Sequence, residues 1–285
     1  VKQCDLHTHS NCSDGSYTPA ELVRAADAIG LTAIALTDHN TTKGLRAFLD
    51  AGLHSNVQTV AGCEFSTDYQ GRELHIVGLF LPEDAWDQVE VFVSQLQTAK
   101  RESNLQLIAN LQAAGYQLTF AEVAATTDAD AFNRAHVAQV LCAKGYVSSV
   151  KEAFQTILRE EQGYYIPPKR PDAFAAVRFI RSIGGAAVLA HPFLNLDTEG
   201  LMQFLPEAKE NGLDAVEVYY TEFDETMTAE IKQIAARFGL LESGGSDFHG
   251  TAKPDIALGK GRGTLFVPDA CYKKLRERAA GSVIK

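Results

Sequence analysis

The chain has 285 residues, 46% hydrophobic and 22% charged, with a formal net charge of −10. This is the composition of a soluble globular protein, with room for one large domain or one domain carrying a smaller insertion. No apolar run reaches about 18 residues, so no membrane span is expected, and the acidic balance argues against a broad basic surface for long duplex nucleic acid.

The five cysteines (Cys4, Cys12, Cys63, Cys142 and Cys271) are odd in number and form no CxxC pair. They fit packing residues in a reducing cytoplasm better than a disulfide framework. No basic segment leads into an apolar one at the start, so no secretory signal is expected. The chain opens on Val1 rather than Met.

In chain order, "VKQCDL" (1–6) reads as a short strand. "TPAELVRAADAIG" (18–30) supplies an N-cap Thr18, an N1 Pro19, a capping-box Glu21 and a closing Gly30, which predict a helix. The apolar run "LTAIALTD" (31–38) reads as a buried parallel strand, followed by a helix near 43–54. "NVQTVAGCEFSTDY" (56–69) and "RELHIVGLFL" (72–81) form two strands, with Gln70-Gly71 giving a hairpin-like reversal.

From 83 to 115 the pattern is long and helix-periodic, and shorter helical pieces follow near 119–126, 133–144 and 148–160. Alternation then resumes. Helices near 171–183, 198–211 and 224–238 alternate with strands "GAAVLA" (185–190), "LDAVEVY" (213–219) and "LLESGGSD" (240–247). About seven strands with helices between most of them predict an α/β fold, a (β/α)7 barrel. The barrel would comprise 1–96 and 169–285, and a helical insertion would occupy 97–168.

Six of the eight histidines fall at or just beyond a predicted strand end, or within the hairpin: His7, His9, His39, His75, His191 and His249. Glu64 and Asp247 occupy equivalent positions, and Asp14 lies five residues beyond His9. His54, in a helix tail, is assigned to the surface. Taken singly, a strand-end histidine is more often a hydrogen-bonding residue than a ligand. Together these nine converge on the barrel face where catalytic sites are built. They are too many for one metal and enough for three. Imidazole and carboxylate without thiolate suit Zn, Mn or Fe. The three carboxylates carry about −3, so three divalent cations would leave about +3, which attracts a phosphate dianion and favours a deprotonated, metal-bound water. The residues point to phosphoester hydrolysis.

"DLHTHSNCSDGSYTP", "ALTDHN", "GCEFS", "ELHIVG", "LAHP" and "GSDFH", in this order, resemble the PHP (polymerase and histidinol phosphatase) superfamily over nearly the whole chain. The resemblance implies a distorted (β/α)7 barrel and a trinuclear centre, with manganese placed before iron or zinc. His7, His9, Glu64 and Asp247 would hold one metal. Glu64 would bridge to a second, completed by His75 and His191, and Asp14, His39 and His249 would hold the third. "NRAHVAQVLCAKGY" (133–146) and "GYYIPP" (163–168) are similar to the group containing nucleoside 3′,5′-bisphosphate phosphatases and a related 5′→3′ exoribonuclease. In that group the insertion caps the active-site face. By this likeness Arg134 and His136 would bind substrate, and His136, Asp247 and His249 would take part in catalysis. Without it, Arg134 reads as a surface residue and His136 as a helix-cap partner. One departure stands out: relatives carry a Gly-Arg-Tyr-like stretch after the His-Pro pair, where this chain has "HPFLN".

The expected activity is hydrolysis of the 3′-phosphate of 3′,5′-bisphosphonucleotides, or of short 5′-phosphorylated oligoribonucleotides, by metal-bound hydroxide. The alternatives are a histidinol-phosphate or other sugar-phosphate monoesterase, and a non-catalytic metal- or nucleotide-binding module.

Overall fold

The computed structural model describes residues 2–127 and 133–281, so Val1 of the first expected strand and 128–132 of the expected insertion lie outside it. Seven strands form one sheet in sequence order: β1 (Cys4–Asp5), β2 (Ala33–Leu36), β3 (Gln58–Tyr69), β4 (Arg72–Leu79), β5 (Ala186–Leu189), β6 (Ala215–Tyr220) and β7 (Leu241–Gly245). Neighbouring pairs are parallel except around β4, which is antiparallel to both β3 and β5. The Leu6 N–H donates to Gly244 O at 3.0 Å and the Asp247 N–H to His7 O at 2.9 Å, so the two ends of the sheet meet and the barrel nearly closes. The mixed, nearly closed seven-stranded barrel matches the architecture expected from the sequence.

Local chemistry sets the elements. In α1 (Pro19–Ala28) Thr18 and Glu21 form the expected capping box. The β3–β4 hairpin turns on Gln70 (φ 54°) and Gly71 (φ 79°), two consecutive left-handed residues, as a tight two-residue reversal requires. In β2 the apolar run divides by the period of two: Ala33 and Ala35 join the cluster containing Val77, Val188 and Ala215, while Ile34 and Leu36 pack against Leu22, Val23 and Phe48 of α1 and α2 (Leu45–Gly52).

One helix is not anticipated from the sequence pattern. In α10 (Asp269–Ala280), Cys271, Tyr272, Leu275 and Ala279 are buried against the cluster that holds Ala33, Ala35, Ala186 and Ala215. These strand alanines leave room for a helix that completes the core. The segment is rich in Lys and Arg on its other faces, which masks its apolar stripe.

The chain divides into two compact units, 1–90 with 171–285 and 91–170. The first carries the barrel, with α7 (Ala173–Ser182), α8 (Thr198–Glu210) and α9 (Glu225–Phe238) joining its later strands. The second is helical among its described residues: most of α3 (Trp86–Ala113), then α4 (Phe120–Ala124), α5 (Arg134–Ala143) and α6 (Val150–Gln155). Its own core gathers Leu107, Leu111, Val123, Val137, Leu141 and Leu158. The expected helix over 148–160 is shorter, ending at Gln155, and a 3-10 turn follows at Glu160–Gln162.

Gly245 shows how tightly β7 meets the segment after β1. A Cβ at this position would overlap His7 Cβ and lie 2.5 Å from the His7 backbone nitrogen. Gly245→Ala is expected to destabilise the fold by about 1–3 kcal/mol, the usual cost of overpacking, and to reduce bound metal. Thermal unfolding and elemental analysis would check this, and wild-type values in both would refute it.

Candidate metal centre

Four of the strands, β1, β2, β5 and β7, deliver site residues just past their C-terminal ends. His7 and His9 follow β1, His39 follows β2, His191 follows β5, and Asp247 and His249 follow β7. Glu64 lies within β3. His75 lies in the first half of β4, and because β4 runs antiparallel, that half faces the same end of the barrel as the C-terminal ends of its neighbours. Asp14 comes from the turn after His9. The structure brings all nine residues together, while His54 is exposed and apart, as expected.

Glu64, 1% exposed, stands at the centre. Its Oε2 lies 3.2 Å from each of His7 Nε2, His9 Nε2 and His39 Nδ1. Its Oε1 lies 2.7 Å from His75 Nδ1 and 3.1 Å from His191 Nε2. Asp247 Oδ1 lies 3.2 Å from His9 Nε2 and 3.5 Å from His249 Nδ1. Asp14 Oδ1 lies 3.2 Å from His249 Nε2, and its Oδ2 3.8 Å from His39 Nε2.

The donor atoms fit a metal centre on one observation above all. His7 Nε2, both ring nitrogens of His9, His39 Nδ1 and Glu64 Oε2 are buried without a hydrogen-bond partner. Leaving such groups unpaired costs about 1–3 kcal/mol each, a cost that coordination of their lone pairs to divalent cations would remove. Three overlapping sets have donors within 4.8 Å of one another: His9, Asp14, His39 and His249; His7, His9 and Glu64; and His39, Glu64 and His75. His191 and Asp247 border these sets through Glu64 and His9. A metal held there supplies Lewis acidity and a nucleophile at neutral pH.

The electrostatics is mutual. Burial pushes the Glu64 carboxyl up, but His39, His7 and His75 together outweigh it and hold it well below the usual carboxylate range. Burial also opposes ionisation of Asp14 and Asp247, yet His249 and His39 keep the first low, and Lys253 and His249 the second. Burial disfavours charge on His9 and His75, but their carboxylate neighbours raise both to about 9. His7 is raised well above its ordinary value by Glu64 and Glu217, again against burial. His39 goes the other way, to about 3, because there burial wins.

Several supporting residues escape sequence reasoning. Glu217 of β6 is buried, with Oε1 3.2 Å from His7 Nδ1 while Oε2 accepts the His191 N–H at 2.7 Å. The Tyr220 hydroxyl donates to Asp247 Oδ2 at 3.0 Å, and Lys253 Nζ lies 2.8 Å from the same oxygen. Strict alternation would send Glu217 and Tyr220 to opposite faces. The register shift between Glu217 and Tyr219 turns both toward the centre. Asp5 accepts from Ser246 and Gly259, and Asp38 from Ser10 and Ser13, so both tie loops of the site down. The available signal was a buried-type strand interrupted by an acid, as in "AVEVY". Backbone strain concentrates here too: His191 (φ 27°), Asp247 (φ 56°) and Asn40 (φ 51°), beside His39, occupy the left-handed region.

Within the helical unit, Asn133 caps α5 and the His136 Nδ1 accepts the Asn133 N–H at 3.0 Å, which is the helix-cap reading of His136. The Arg134 guanidinium stacks 3.9 Å from the centroid of Tyr165.

A nearly closed barrel with an imidazole and carboxylate centre at its strand ends defines a metal-dependent hydrolase. Comparison with known proteins narrows this. The PHP domain profile matches residues 5–167. A 5′-3′ exoribonuclease of Haemophilus influenzae is 33% identical, over 87% of this chain and 90% of its own. A phosphoribosyl 1,2-cyclic phosphate 1,2-diphosphodiesterase of Eggerthella lenta is 33% identical over 86% and 94%, and a 3′,5′-nucleoside bisphosphate phosphatase of Chromobacterium violaceum is 28% identical over 97% and 96%. A solved structure from Bifidobacterium adolescentis, described as of metal-dependent phosphoesterase type, superposes with a TM-score of 0.85 at 26% identity, over 98% of this chain and 96% of its own. The chain belongs to the PHP domain family, and it is a metal-dependent phosphoesterase. Among the described residues no helix is long and apolar enough to cross a membrane.

Two outcomes are expected. Glu64→Ala should lower bound metal more than tenfold by elemental analysis, while His54→Ala retains it; equal metal content in both would refute the central role of Glu64. Metal uptake by the metal-free protein at pH 7 should release protons, because His7, His9 and His75 hold protons there and must lose them to bind. The release should shrink as pH rises toward about 9 and affinity should weaken on acidification. Calorimetry in buffers of different ionisation heat measures this, and proton-neutral uptake at pH 7 would contradict it.

Proposed function

We propose that the chain hydrolyses nucleotide phosphoesters: the 3′-phosphate of nucleoside 3′,5′-bisphosphates and short 5′-phosphorylated oligoribonucleotides. The carrying observation is the set of buried, hydrogen-bond-free donors around Glu64. It supports a metal-dependent phosphoesterase, and two relatives of similar length are a 5′-3′ exoribonuclease and a 3′,5′-nucleoside bisphosphate phosphatase. The proposal places three divalent ions on the nine residues, manganese before iron or zinc.

The chain's own groups have separable tasks. Asp247 presents Oδ1 to the imidazoles of His7 and His9 while Tyr220 and Lys253 fix Oδ2. Glu217 orients His7 and holds the His191 backbone. Arg134 is taken as a ligand for a substrate phosphate, a role that suits its paired N–H groups, and His136 as a second phosphate contact or proton donor to the leaving oxygen. The net charge of −10 favours recognition of strand ends and short products over a long groove.

A second reading follows from the Eggerthella lenta relative: a base-free sugar cyclic phosphate as substrate. A panel on the manganese-loaded protein separates the two. It would hold adenosine 3′,5′-bisphosphate, a 5′-phosphorylated triribonucleotide, a ribose cyclic phosphate and histidinol phosphate. Turnover of the first two, with KM raised more than kcat is lowered in Arg134→Ala, is the expected result. Turnover confined to the base-free or histidinol esters would replace the proposal, and nucleotide binding without turnover would indicate a non-catalytic module.

A further inference from the structure

The "HPFLN" stretch puts an aromatic and an aliphatic residue, Phe193 and Leu194, directly after His191-Pro192 in the chain. It lies at the C-terminal end of β5. The adjacent end of β6 carries Tyr220 and, in the loop beyond, Phe223. Their rings form a continuous series. The His191 imidazole meets the Tyr220 ring at 5.2 Å, Tyr220 meets Phe223 at 5.1 Å, and Phe223 meets Phe193 at 6.0 Å. Phe193 and Phe223 are half-buried, and Leu194 is 48% exposed.

We propose that Phe193 and Phe223 form the binding corner for the nucleobase of the substrate. This rests on the nucleotide reading above and specifies which part of the nucleotide these residues recognise.

Three observations carry it. The two rings are inclined at 60°, so a flat base set against the face of one meets the other edge-on, the tilted arrangement that aromatic pairs favour. The corner is held in fixed relation to the reacting centre, because the Tyr220 ring that links it to His191 is anchored by its hydroxyl on Asp247. Of the two carboxylates that flank Phe223 in sequence, Glu222 is paired with Arg262 at 2.6 Å and Asp224 caps α9, accepting the Met227 N–H at 2.8 Å, so the corner offers a π surface rather than an anion grip. A phosphate ester whose organic part is a sugar alone has nothing flat to set there, whereas a nucleotide does. Stacking of this kind tolerates every base, because each has a π face. The corner therefore selects for the presence of a base and not for its identity.

The test uses the metal-loaded chain and two substrates, adenosine 3′,5′-bisphosphate and the matching sugar bisphosphate without a base. The wild-type KM should be about tenfold or more lower for the base-bearing substrate, the range stacking of one base supplies. Phe223→Ala and Phe193→Ala should collapse that ratio toward one. Phe223→Trp should restore it and Phe223→Leu, apolar but without a π face, should not. Calorimetric binding of adenosine 5′-phosphate against ribose 5-phosphate should show the same preference independently of turnover, and circular dichroism checks that each variant is folded. Equal KM values for the two substrates in the wild type, with nucleotide turnover intact, would overturn the corner and leave the nucleotide reading standing. Turnover of the base-free ester alone would overturn both.

Discussion

The structure is organised around one buried carboxylate. Glu64 sits in the wall of the barrel with five imidazoles 2.7–3.2 Å from its two oxygens. An ionised carboxylate in a closed interior costs several kcal/mol unless it is paired. No single neighbour could offset that. The compensation comes from histidines on four other strands or the segments after them, so this carboxylate ties the site to closure of the sheet. A half-formed barrel would leave it unpaired. The antiparallel β4 is part of the same solution, because only that direction brings the first half of the strand, with His75, to the end where the parallel strands present their residues.

The surrounding structure bears the cost of this crowding. His191 and Asp247 adopt backbone angles that residues with a Cβ rarely take, and Gly245 is compressed against His7 where a side chain would not fit. A bulge in β6 turns both Glu217 and Tyr220 inward. The two then divide the work of holding His7, His191 and Asp247. Asp5 and Asp38, buried and hydrogen-bonded to serines, fix the loops that carry the residues of the candidate centre. Strain and buried charge of this kind persist only where the surroundings over-determine the geometry.

The same geometry bears on substrate choice. A cationic, metal-bearing centre suits any phosphoester, and family membership alone leaves nucleotides, oligonucleotides and sugar phosphates open, as the three relatives show. Selection therefore has to come from the rim. There this chain carries Phe193 and Leu194 where the resemblance leads one to expect a stretch that includes an arginine. The rim interaction is thereby shifted from gripping charge toward covering a flat apolar group.

The barrel architecture was legible in the sequence, and so were nine residues that lie together in the structure. Strand runs alternating with capped helices fixed the barrel, and histidines and carboxylates recurring at strand ends marked nine residues that the fold then gathered, because parallel strands necessarily present their C-terminal ends together. Helix α10 was missed because its short apolar stripe is set among lysines and arginines. Glu217 leaves one local trace, an acid interrupting a buried-type strand, whereas nothing local distinguishes Tyr220, Lys253, Asp5 and Asp38. Their roles depend on a bulge, on closure between β1 and β7, and on contacts spanning up to 254 residues of chain, such as Gly259 to Asp5. Only the tertiary structure decided which nitrogen faces which oxygen, and so which buried atoms stand without a hydrogen bond. It also decided that the rings after β5 and β6 adjoin the metal centre, since proximity between distant segments is created by packing and is written nowhere in local periodicity.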